Sequence, residues 1–190
     1  MLNTKAWQNI FSSIPNWIEK SQFLKTGEVV IQIRKEAIIP FFLFIRDHSA
    51  LQMKILIDVT AVDFPTRDKR FEVVYNLLST QYNTRLRVKV QTDEVSTIPS
   101  VEGIYSAAGW FERETWDMFG IFFKNHSDLR RILTDYGFQG HPLRKDFPLS
   151  GYVEARFDES EKRVVLEQIE MTQDFRFFEF ANPWKSGSIK

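Results

Sequence analysis

The chain of 190 residues contains no cysteine and has three histidines, His48, His126 and His141. Iron–sulfur clusters, thiolate zinc sites and disulfide scaffolds all need cysteine, so the sequence excludes each of them. The histidines are scattered along the chain, and no two of them have a spacing typical of metal ligands. We therefore expect no metal site.

A long apolar run, a net charge and nucleotide-binding motifs are missing as well. The longest apolar segment, residues 37–45, is interrupted by Pro40 and reaches about half of the ~20 residues that a membrane span requires. The 25 basic and 25 acidic residues cancel, so no overall field attracts nucleic acid or an anionic membrane. No GxGxxG, GxxxxGK(S/T) or GxSxG motif occurs. The first twenty residues resemble neither a presequence nor a signal peptide.

The remaining composition suits a folded domain, with 43% hydrophobic and 15% aromatic residues. Apolar residues at helical spacing predict a helix over residues 7–18, divided at Pro15, and another over 36–48. Alternating residues predict strands at 29–34, 53–59 and 85–90, and a β-rich composition predicts one at 71–79. We expect the last three strands to form an antiparallel meander with one face in the core and one basic face in water.

Helix signals follow the meander. Ser100 is expected to cap a helix that runs to Ala108 and is broken at Gly109. A further helix over 110–119 would end at Gly120, before a short strand at 121–123 and a brief helix at 127–135. We thus predict an α+β fold, in which residues 1–136 form a two-layer core domain with a mixed, mostly antiparallel sheet covered by helices.

Residues 137–190 differ in character and form a predicted C-terminal arm. They lack a sustained helical period, so they cannot build a second core. The aromatic residues near the end of the chain argue against a fully solvated tail. We expect an extended arm whose aromatic residues are buried against other protein surface, on this chain or another. These residues are Phe175, Phe177, Phe178, Phe180 and Trp184.

The stretch GWFERETWDMFG, residues 109–120, holds most of the candidate chemistry. On a helix at about 100° per residue, aromatic residues form an apolar arc, and Arg113 and Asp117 are close enough to pair. Glu112 falls inside the apolar arc, so we expect an arginine or lysine from the arm, or from another protein, against it. Glu112 and Glu114 point apart, and Arg113 would keep Glu114 and Asp117 ionised, which disfavours an acid/base pair.

Several interpretations of these charges stay open. In the first, the helix has only a structural role, with a buried aromatic side and a solvated charged side. In the second, its tryptophan and arginine residues form a surface that binds another protein. In the third, Glu114 and Asp117 form the active site of a hydrolase. A second group of cations could bind phosphate or RNA, although the balanced total charge and Asp146 disfavour this. These cations are Arg130, Arg131, Arg144 and Lys145.

Residues 112–133, ERETWDMFGIFFKNHSDLRRIL, resemble the signature of the thirty-kilodalton subunit of respiratory complex I, the proton-pumping NADH:ubiquinone oxidoreductase. Segments 56–79, 133–154 and 178–184 are also similar to that family. The resemblance thus covers about residues 50–184 and is greatest with the short form encoded by mitochondrial DNA. The matching signature positions are Glu112, Arg113, Glu114, Asp117, Met118, Phe119, His126, Arg130, Ile132 and Leu133.

The resemblance implies a non-catalytic core subunit in the quinone-reducing module of the peripheral arm of the complex. This subunit would scaffold electron transfer from NADH to ubiquinone, coupled to proton pumping. The chain would bind no cofactor itself, whereas other subunits hold FMN, iron–sulfur clusters and ubiquinone. The complex would lie on the matrix side of the mitochondrial inner membrane or, alternatively, on the cytoplasmic face of a bacterial inner membrane.

The resemblance also implies partners. They would be chiefly the forty-nine-kilodalton subunit, over which the C-terminal arm would lie, and neighbouring iron–sulfur subunits, with no nucleic acid. The expected partner interface consists of Glu112, Arg113, Glu114, Asp117, His126, Arg130, Arg131, His141, Pro142, Arg144, Lys145 and Asp146.

Overall fold

The computed structural model describes residues 4–178, which divide into two compact units between Pro148 and Leu149. The first unit has the predicted α+β fold. Its elements in chain order are α1 (Thr4–Ser12), β1 (Ile18–Phe23), β2 (Val29–Ile33), a 3-10 turn (Lys35–Ala37), α2 (Ile38–Asp47), β3 (Ile55–Asp63), β4 (Phe71–Ser79), β5 (Thr84–Thr92), β6 (Ile98–Pro99), α3 (Ala108–Phe119) and β7 (Phe123–Lys124). The second unit contains β8 (Val153–Asp158) and β9 (Arg163–Gln168).

A five-stranded mixed sheet in the order β1-β2-β5-β4-β3 forms the framework of the first unit. Strands β2 and β5 run parallel, and the other neighbours run antiparallel. The predicted meander of β3, β4 and β5 is confirmed. Strand β1 was not predicted: α1 ends at Ser12, before Pro15, whose ring cannot continue a helix, and the chain then pairs with β2 through a turn at Gly27.

A β-bulge in β3 changes which of its residues enter the core. Leu56 pairs with Leu77 and Asp58 pairs with Asn76, so Ile57 is an extra residue on β3. The extra residue shifts the alternation, because each strand position points to the opposite face from its neighbour. Leu56 and Val59 are therefore buried whereas Ile57 is 37% exposed.

Helix α2 supplies much of the core against one face of the sheet, as its apolar pattern predicts. Phe41, Phe42 and Ile45 are completely buried. The ring of Phe42 meets the ring of Tyr75 on β4 edge to face, with centroids 5.0 Å apart. Pro40 lies in the first turn of α2, where the backbone N–H has no partner within the helix, so the proline is tolerated.

Helix α3 packs against the edge strand β3 and carries the signature residues. The Thr115 hydroxyl donates to the carbonyl of Val59 at 3.3 Å, which ties the helix to the strand. Gly109 lies inside α3, so the prediction that it breaks a helix is wrong. The helix predicted over 100–108 is also absent: residues 102–104 and 106–107 form turns, although Ser100 Oγ accepts the Glu102 N–H at 3.2 Å. Gly120 ends α3 as predicted, in the left-handed conformation with φ of 79°.

Residues 127–135 form no helix, contrary to the sequence prediction, because their backbone N–H groups bond to Asp117 on α3. Residues 137–148 belong to the first compact unit, although the sequence places the boundary of the core domain at 136. His141 and Arg144 bond to the end of α3, which accounts for this difference.

The second unit contains a β-hairpin that was not predicted within the arm. Phe157 lies opposite Val164 and Ala155 opposite Leu166, so these side chains share one face of the hairpin. Asp158 begins the turn by accepting the N–H and hydroxyl of Ser160. Of the arm aromatics, Phe175, Phe177 and Phe178 are more than half exposed. Phe180 and Trp184 lie outside the described residues.

Candidate functional site

Glu112 on α3 lies in the interior of the first unit with no exposed surface, as the apolar arc of the helix indicates. The Ser100 hydroxyl donates to its Oε2 at 2.5 Å, and the Val101 N–H donates to its Oε1 at 2.8 Å. Within the described residues no arginine or lysine pairs with Glu112, contrary to the expectation from the sequence. Hydroxyl and backbone donors satisfy the carboxyl group instead, and they join α3 to the turns that precede it.

His126 is the basic side chain near Glu112, with Nε2 at 3.9 Å from Oε2. Its Nδ1 accepts the N–H of Asp128 at 3.0 Å, which places the ring proton on Nε2. Nε2 then donates to the carbonyl of Gly109 at 3.0 Å. These two bonds occupy both ring nitrogens, so His126 orients the loop after β7 and makes no hydrogen bond to Glu112.

The protonation of Glu112 follows from these surroundings. Burial raises its pKa to about 7, although the Ser100 and Val101 donors favour the ionised form. Tyr75 on β4 is fully buried nearby, and its hydroxyl has no hydrogen-bond partner within the described residues. Burial and the charge of Glu112 together raise the pKa of Tyr75 well above its usual value. Glu112 therefore carries a proton through much of the range below neutral pH.

Asp117, one turn further along α3, is also completely buried but is ionised. Burial opposes its charge, yet hydrogen bonds from the following loop outweigh that effect and lower its pKa. Oδ2 accepts the N–H groups of Ile132, Leu133 and Thr134, at 2.9 to 3.2 Å. Oδ1 accepts the Thr134 hydroxyl at 2.7 Å and Arg131 Nη1 at 3.0 Å. The predicted pair of Asp117 with Arg113 is wrong, because Asp117 turns towards the interior and meets Arg131.

The segment from His141 to Arg144 caps the C-terminal end of α3. Nδ1 of His141 donates to the carbonyl of Asp117 at 2.9 Å, and the Leu143 N–H donates to that of Met118 at 3.0 Å. Nε of Arg144 donates to the carbonyl of Phe119 at 2.6 Å. These donors satisfy carbonyls that a helix end leaves free, and the arginine complements the negative end of the helix dipole. Burial lowers the pKa of His141.

Gly120 makes this capping possible. A Cβ atom at position 120 would lie 2.5 Å from Nη2 of Arg144 and 2.7 Å from Nε2 of His141. The positive φ of the residue also disfavours other side chains. Glycine is therefore required both by the backbone conformation and by the close approach of the capping side chains. Pro142 is half-buried between them.

Lys145 and Asp146 join this cap to the β3–β4 hairpin. The N–H of Lys145 donates to Oδ2 of Asp63 at 2.8 Å, and Asp146 lies 3.1 Å from Nη2 of Arg70. Arg70 also forms two bonds to Asp63, at 2.6 and 2.8 Å, and pairs with Glu94 at 2.5 Å. These pairs lower the pKa of Asp63, with Arg70 as the main cause. Neither Asp63 nor Arg70 was singled out from the sequence, because their contacts join positions with no common periodicity.

Three charged signature residues face outward: Arg113, Glu114 and Arg130. Arg130 is 69% exposed and pairs with Asp128 at 2.9 Å. Glu114 is exposed, and Arg113 is half-buried with its guanidinium carbon 4.7 Å from the ring centroid of Trp110. Trp110 itself is 66% exposed. The structure thus separates the signature into residues that hold the fold and a smaller set at the surface.

This geometry decides between several chemical interpretations. Asp117 cannot act with Glu114 as an acid/base pair, because Asp117 is buried and both of its oxygens are occupied. Arg131 and Arg144 point into the fold, which removes two of the four cations that a phosphate or RNA site would use. No group of three or more potential metal ligands occurs within residues 4–178, and no helix there is long and apolar enough to cross a membrane.

The fold and the site define an α+β domain whose signature residues fasten one helix to the surrounding loops. Comparison with known proteins gives the family. The family model for the respiratory-chain NADH dehydrogenase, 30 Kd subunit, matches residues 31–153. The chain belongs to this family.

Curated relatives agree over nearly the whole chain. The chain is 54% identical over 184 residues to NADH-ubiquinone oxidoreductase subunit 9 of Prototheca wickerhamii, covering 97% of this chain and 95% of that protein. It is 56% identical over 189 residues to NADH dehydrogenase [ubiquinone] iron-sulfur protein 3 of Oryza sativa subsp. japonica, covering 99% of each. Although that name contains the term iron–sulfur, this chain has no cysteine, so it lacks the ligands that hold such a cluster.

The fold is also similar to one chain of a solved respiratory assembly. That assembly is the membrane-bound sulfane sulfur reductase, described as an archaeal respiratory membrane complex. The TM-score is 0.66, with 24% sequence identity, and the similarity covers 85% of this chain and 98% of that one. At this level of identity the likeness establishes a common fold.

Proposed function

We propose that this chain is a non-catalytic core subunit in the quinone-reducing module of the peripheral arm of respiratory complex I. It scaffolds electron transfer from NADH to ubiquinone, coupled to proton pumping, while the cofactors FMN, iron–sulfur clusters and ubiquinone are bound by other subunits. The oxidoreductase activity belongs to the assembled complex. Family membership supports the assignment to an NADH:ubiquinone oxidoreductase.

The scaffolding role is supported by the contacts of the charged signature residues, most of which bind loops of their own chain. Glu112 and Asp117 are completely buried, and their oxygens bind loops of the same chain. His141 and Arg144 complete the end of the helix that carries these acids. A catalytic carboxylate must reach the reacting atoms, whereas these side chains stabilise one arrangement of surface loops. A fixed surface of this kind suits a subunit that positions its neighbours.

The partners that we propose are the forty-nine-kilodalton subunit and neighbouring iron–sulfur subunits. The C-terminal arm supports a binding role, because a two-stranded hairpin is marginally stable by itself. Phe157, Val164 and Leu166 share one face of the β8–β9 hairpin and are each more than half exposed. The opposite face carries the pair of Arg156 and Glu167 at 2.5 Å. We propose that the apolar face packs on the partner, on the matrix side of the mitochondrial inner membrane.

Complementation in cells that lack this chain tests the proposal. The full chain should restore NADH:ubiquinone oxidoreductase activity of the membranes, whereas a chain ending at Pro148 should fold but restore little activity. An Arg85→Gln variant serves as the control, because Arg85 is exposed on β5 and lies outside the expected partner interface. Restored activity with the shortened chain would contradict a binding role of the arm. NADH oxidation by the purified chain alone would contradict the non-catalytic role.

A further inference from the structure

Arg113 is distinguished from the other half-buried arginines of the first unit by the lack of an acceptor. Each of the others donates to a carboxylate, an amide or a backbone carbonyl; these are Arg46, Arg70, Arg87, Arg131 and Arg144. Arg113 has no hydrogen bond or ion pair within residues 4–178, and its Nε is buried without a partner. A half-buried guanidinium in this state has lost part of its hydration without compensation.

The surroundings of Arg113 explain why no acid of its own chain binds it. Asp117, the acid one turn away, is directed into the interior and is occupied by Arg131 and the loop after β7. Glu114 is the next residue along the helix, so its side chain points in a different direction. Glu102 lies near the first turn of α3 but accepts both the N–H and the hydroxyl of Ser127.

Trp110 gives this position a second property of a binding surface. The indole is 66% exposed, and the guanidinium of Arg113 stacks over it at 4.7 Å from the ring centroid. Stacking fixes the orientation of the guanidinium and leaves its terminal nitrogens available to a bidentate acceptor. Tryptophan and arginine are also the residue types that dominate the binding energy of protein interfaces.

The charges around the pair indicate what kind of partner fits. An extended polyanion, such as RNA or an anionic membrane, requires several free cations and no nearby acids. Arg113 stands alone, with Glu114 beside it on the helix. Hydrogen bonds from Ser127 are the main cause of the lowered pKa of Glu102, and the charge of Arg113 is close enough to add a smaller effect. A protein surface can supply both a carboxylate that accepts hydrogen bonds from the guanidinium and apolar side chains that cover the indole.

We propose that Arg113 and Trp110 form the anchor of the partner interface, where Arg113 donates to a carboxylate of another protein subunit and Trp110 packs beside it. This inference rests on the proposed function, because it requires that the chain is assembled in a complex. It also divides the expected partner interface: Arg113 binds the partner, whereas Glu112, Asp117, His141 and Arg144 hold the fold.

Carbodiimide crosslinking of the assembled complex tests the carboxylate directly. In an Arg113→Lys variant the reagent joins the introduced amine to any carboxylate in contact, and mass spectrometry then identifies the linked peptides. The matched control is Arg130→Lys, because Arg130 pairs with Asp128 of its own chain. We expect a link to an acidic residue of another subunit at position 113 and a link within the chain at position 130. A link from position 113 to Glu102 or Glu114, or no link in an assembled complex, would overturn the proposal.

A second variant keeps the proposal testable if Arg113→Lys does not assemble. Trp110→Ala should weaken the association of the purified chain with its partner subunits by about tenfold or more, as expected for an anchoring aromatic residue. Its thermal midpoint should match that of the Tyr136→Ala control, which removes an aromatic ring that is 99% exposed. A lowered thermal midpoint with unchanged association would overturn the proposal. Absence of the unmodified chain from any large complex would instead refute the proposed function.

Discussion

Replacement of Glu112 by glutamine should make the stability of the protein less sensitive to alkaline pH. Glu112 is completely buried, and burial raises its pKa from 4.5 to about 7. The folded state therefore binds a proton that the unfolded state has released, so the free energy of unfolding falls as the pH rises from about 4.5 through 7. At about 1.4 kcal/mol for each pH unit between the two pKa values, the loss is about 3 kcal/mol.

Glutamine reproduces the hydrogen bonds of the protonated acid. In the structure Ser100 donates to Oε2 and Val101 donates to Oε1. Protonation of Oε2 reverses the first bond, so that the acid O–H donates to the Ser100 oxygen, and the amide oxygen and one N–H of glutamine can make the same two bonds. The second N–H of the amide needs a further acceptor in this buried site, and its loss of hydration costs about 1–3 kcal/mol at every pH. Relative to its effect at pH 5, Glu112→Gln should therefore increase the stability by up to about 3 kcal/mol at pH 8. The calculation is an upper bound, because the surroundings relax around the charge.

Urea unfolding of the full chain at pH 5, 6, 7 and 8 measures this effect. Glu114→Gln is the matched control, because Glu114 lies on the same helix but is exposed, so its replacement should leave the pH dependence unchanged. The reasoning would be refuted if Glu112→Gln lowered the stability equally at all four pH values. That result would mean that Glu112 is ionised throughout and that its charge strengthens the bonds from Ser100 and Val101.

Two further substitutions test other parts of the α3 framework. Asp117→Asn should lower the free energy of unfolding by about 2–4 kcal/mol near neutral pH, because the charge that five donors share is lost, whereas Asp128→Asn should have little effect. Because folding lowers the pKa of Asp117, its contribution to stability is present above the pKa of the unfolded state and is lost as the pH falls through the pKa of the folded state. The free energy of unfolding should therefore change less with pH in the acid range in Asp117→Asn than in the unmodified chain. Gly120→Ala should lower the free energy of unfolding in urea by about 1–3 kcal/mol more than Gly137→Ala. Both positions have positive φ, but only a Cβ atom at position 120 would meet His141 and Arg144. Equal losses of stability would show that the contact with the capping side chains adds nothing.

Regular periodicity explains which parts of the fold could be predicted. The apolar pattern of α2 and the alternation in β2 and β5 depend on neighbours in the sequence, so each pattern indicates its element. The inserted residue Ile57 cannot be recognised in this way, because alternation alone does not show where a bulge shifts the register. The hairpin of β8 and β9 was missed although Val153, Ala155 and Phe157 alternate with charged residues, the same signal that indicates β5.

The candidate site was predictable in its composition but not in its contacts. Helical projection placed Glu112 on the buried side of α3, and the structure confirms that position. Asp117 was paired with Arg113 because the two are one turn apart, whereas its actual partners come from a loop more than a dozen residues away. Asp117 also captures the backbone N–H groups of that loop, which is why the helix expected over 127–135 does not form. The partners of Asp117 depend on which distant loop packs against the helix, and the spacing of residues within the helix gives no information about that loop.

The central claim is that the chain functions as a subunit of an assembled NADH:ubiquinone oxidoreductase. Separation of native membrane complexes by size, with mass spectrometry of each fraction, tests this claim most directly. The account predicts that the chain migrates with the large complex that oxidises NADH and that, in its absence, the quinone-reducing module fails to assemble. Migration only as a free chain, with the complex intact and active without it, would contradict the account.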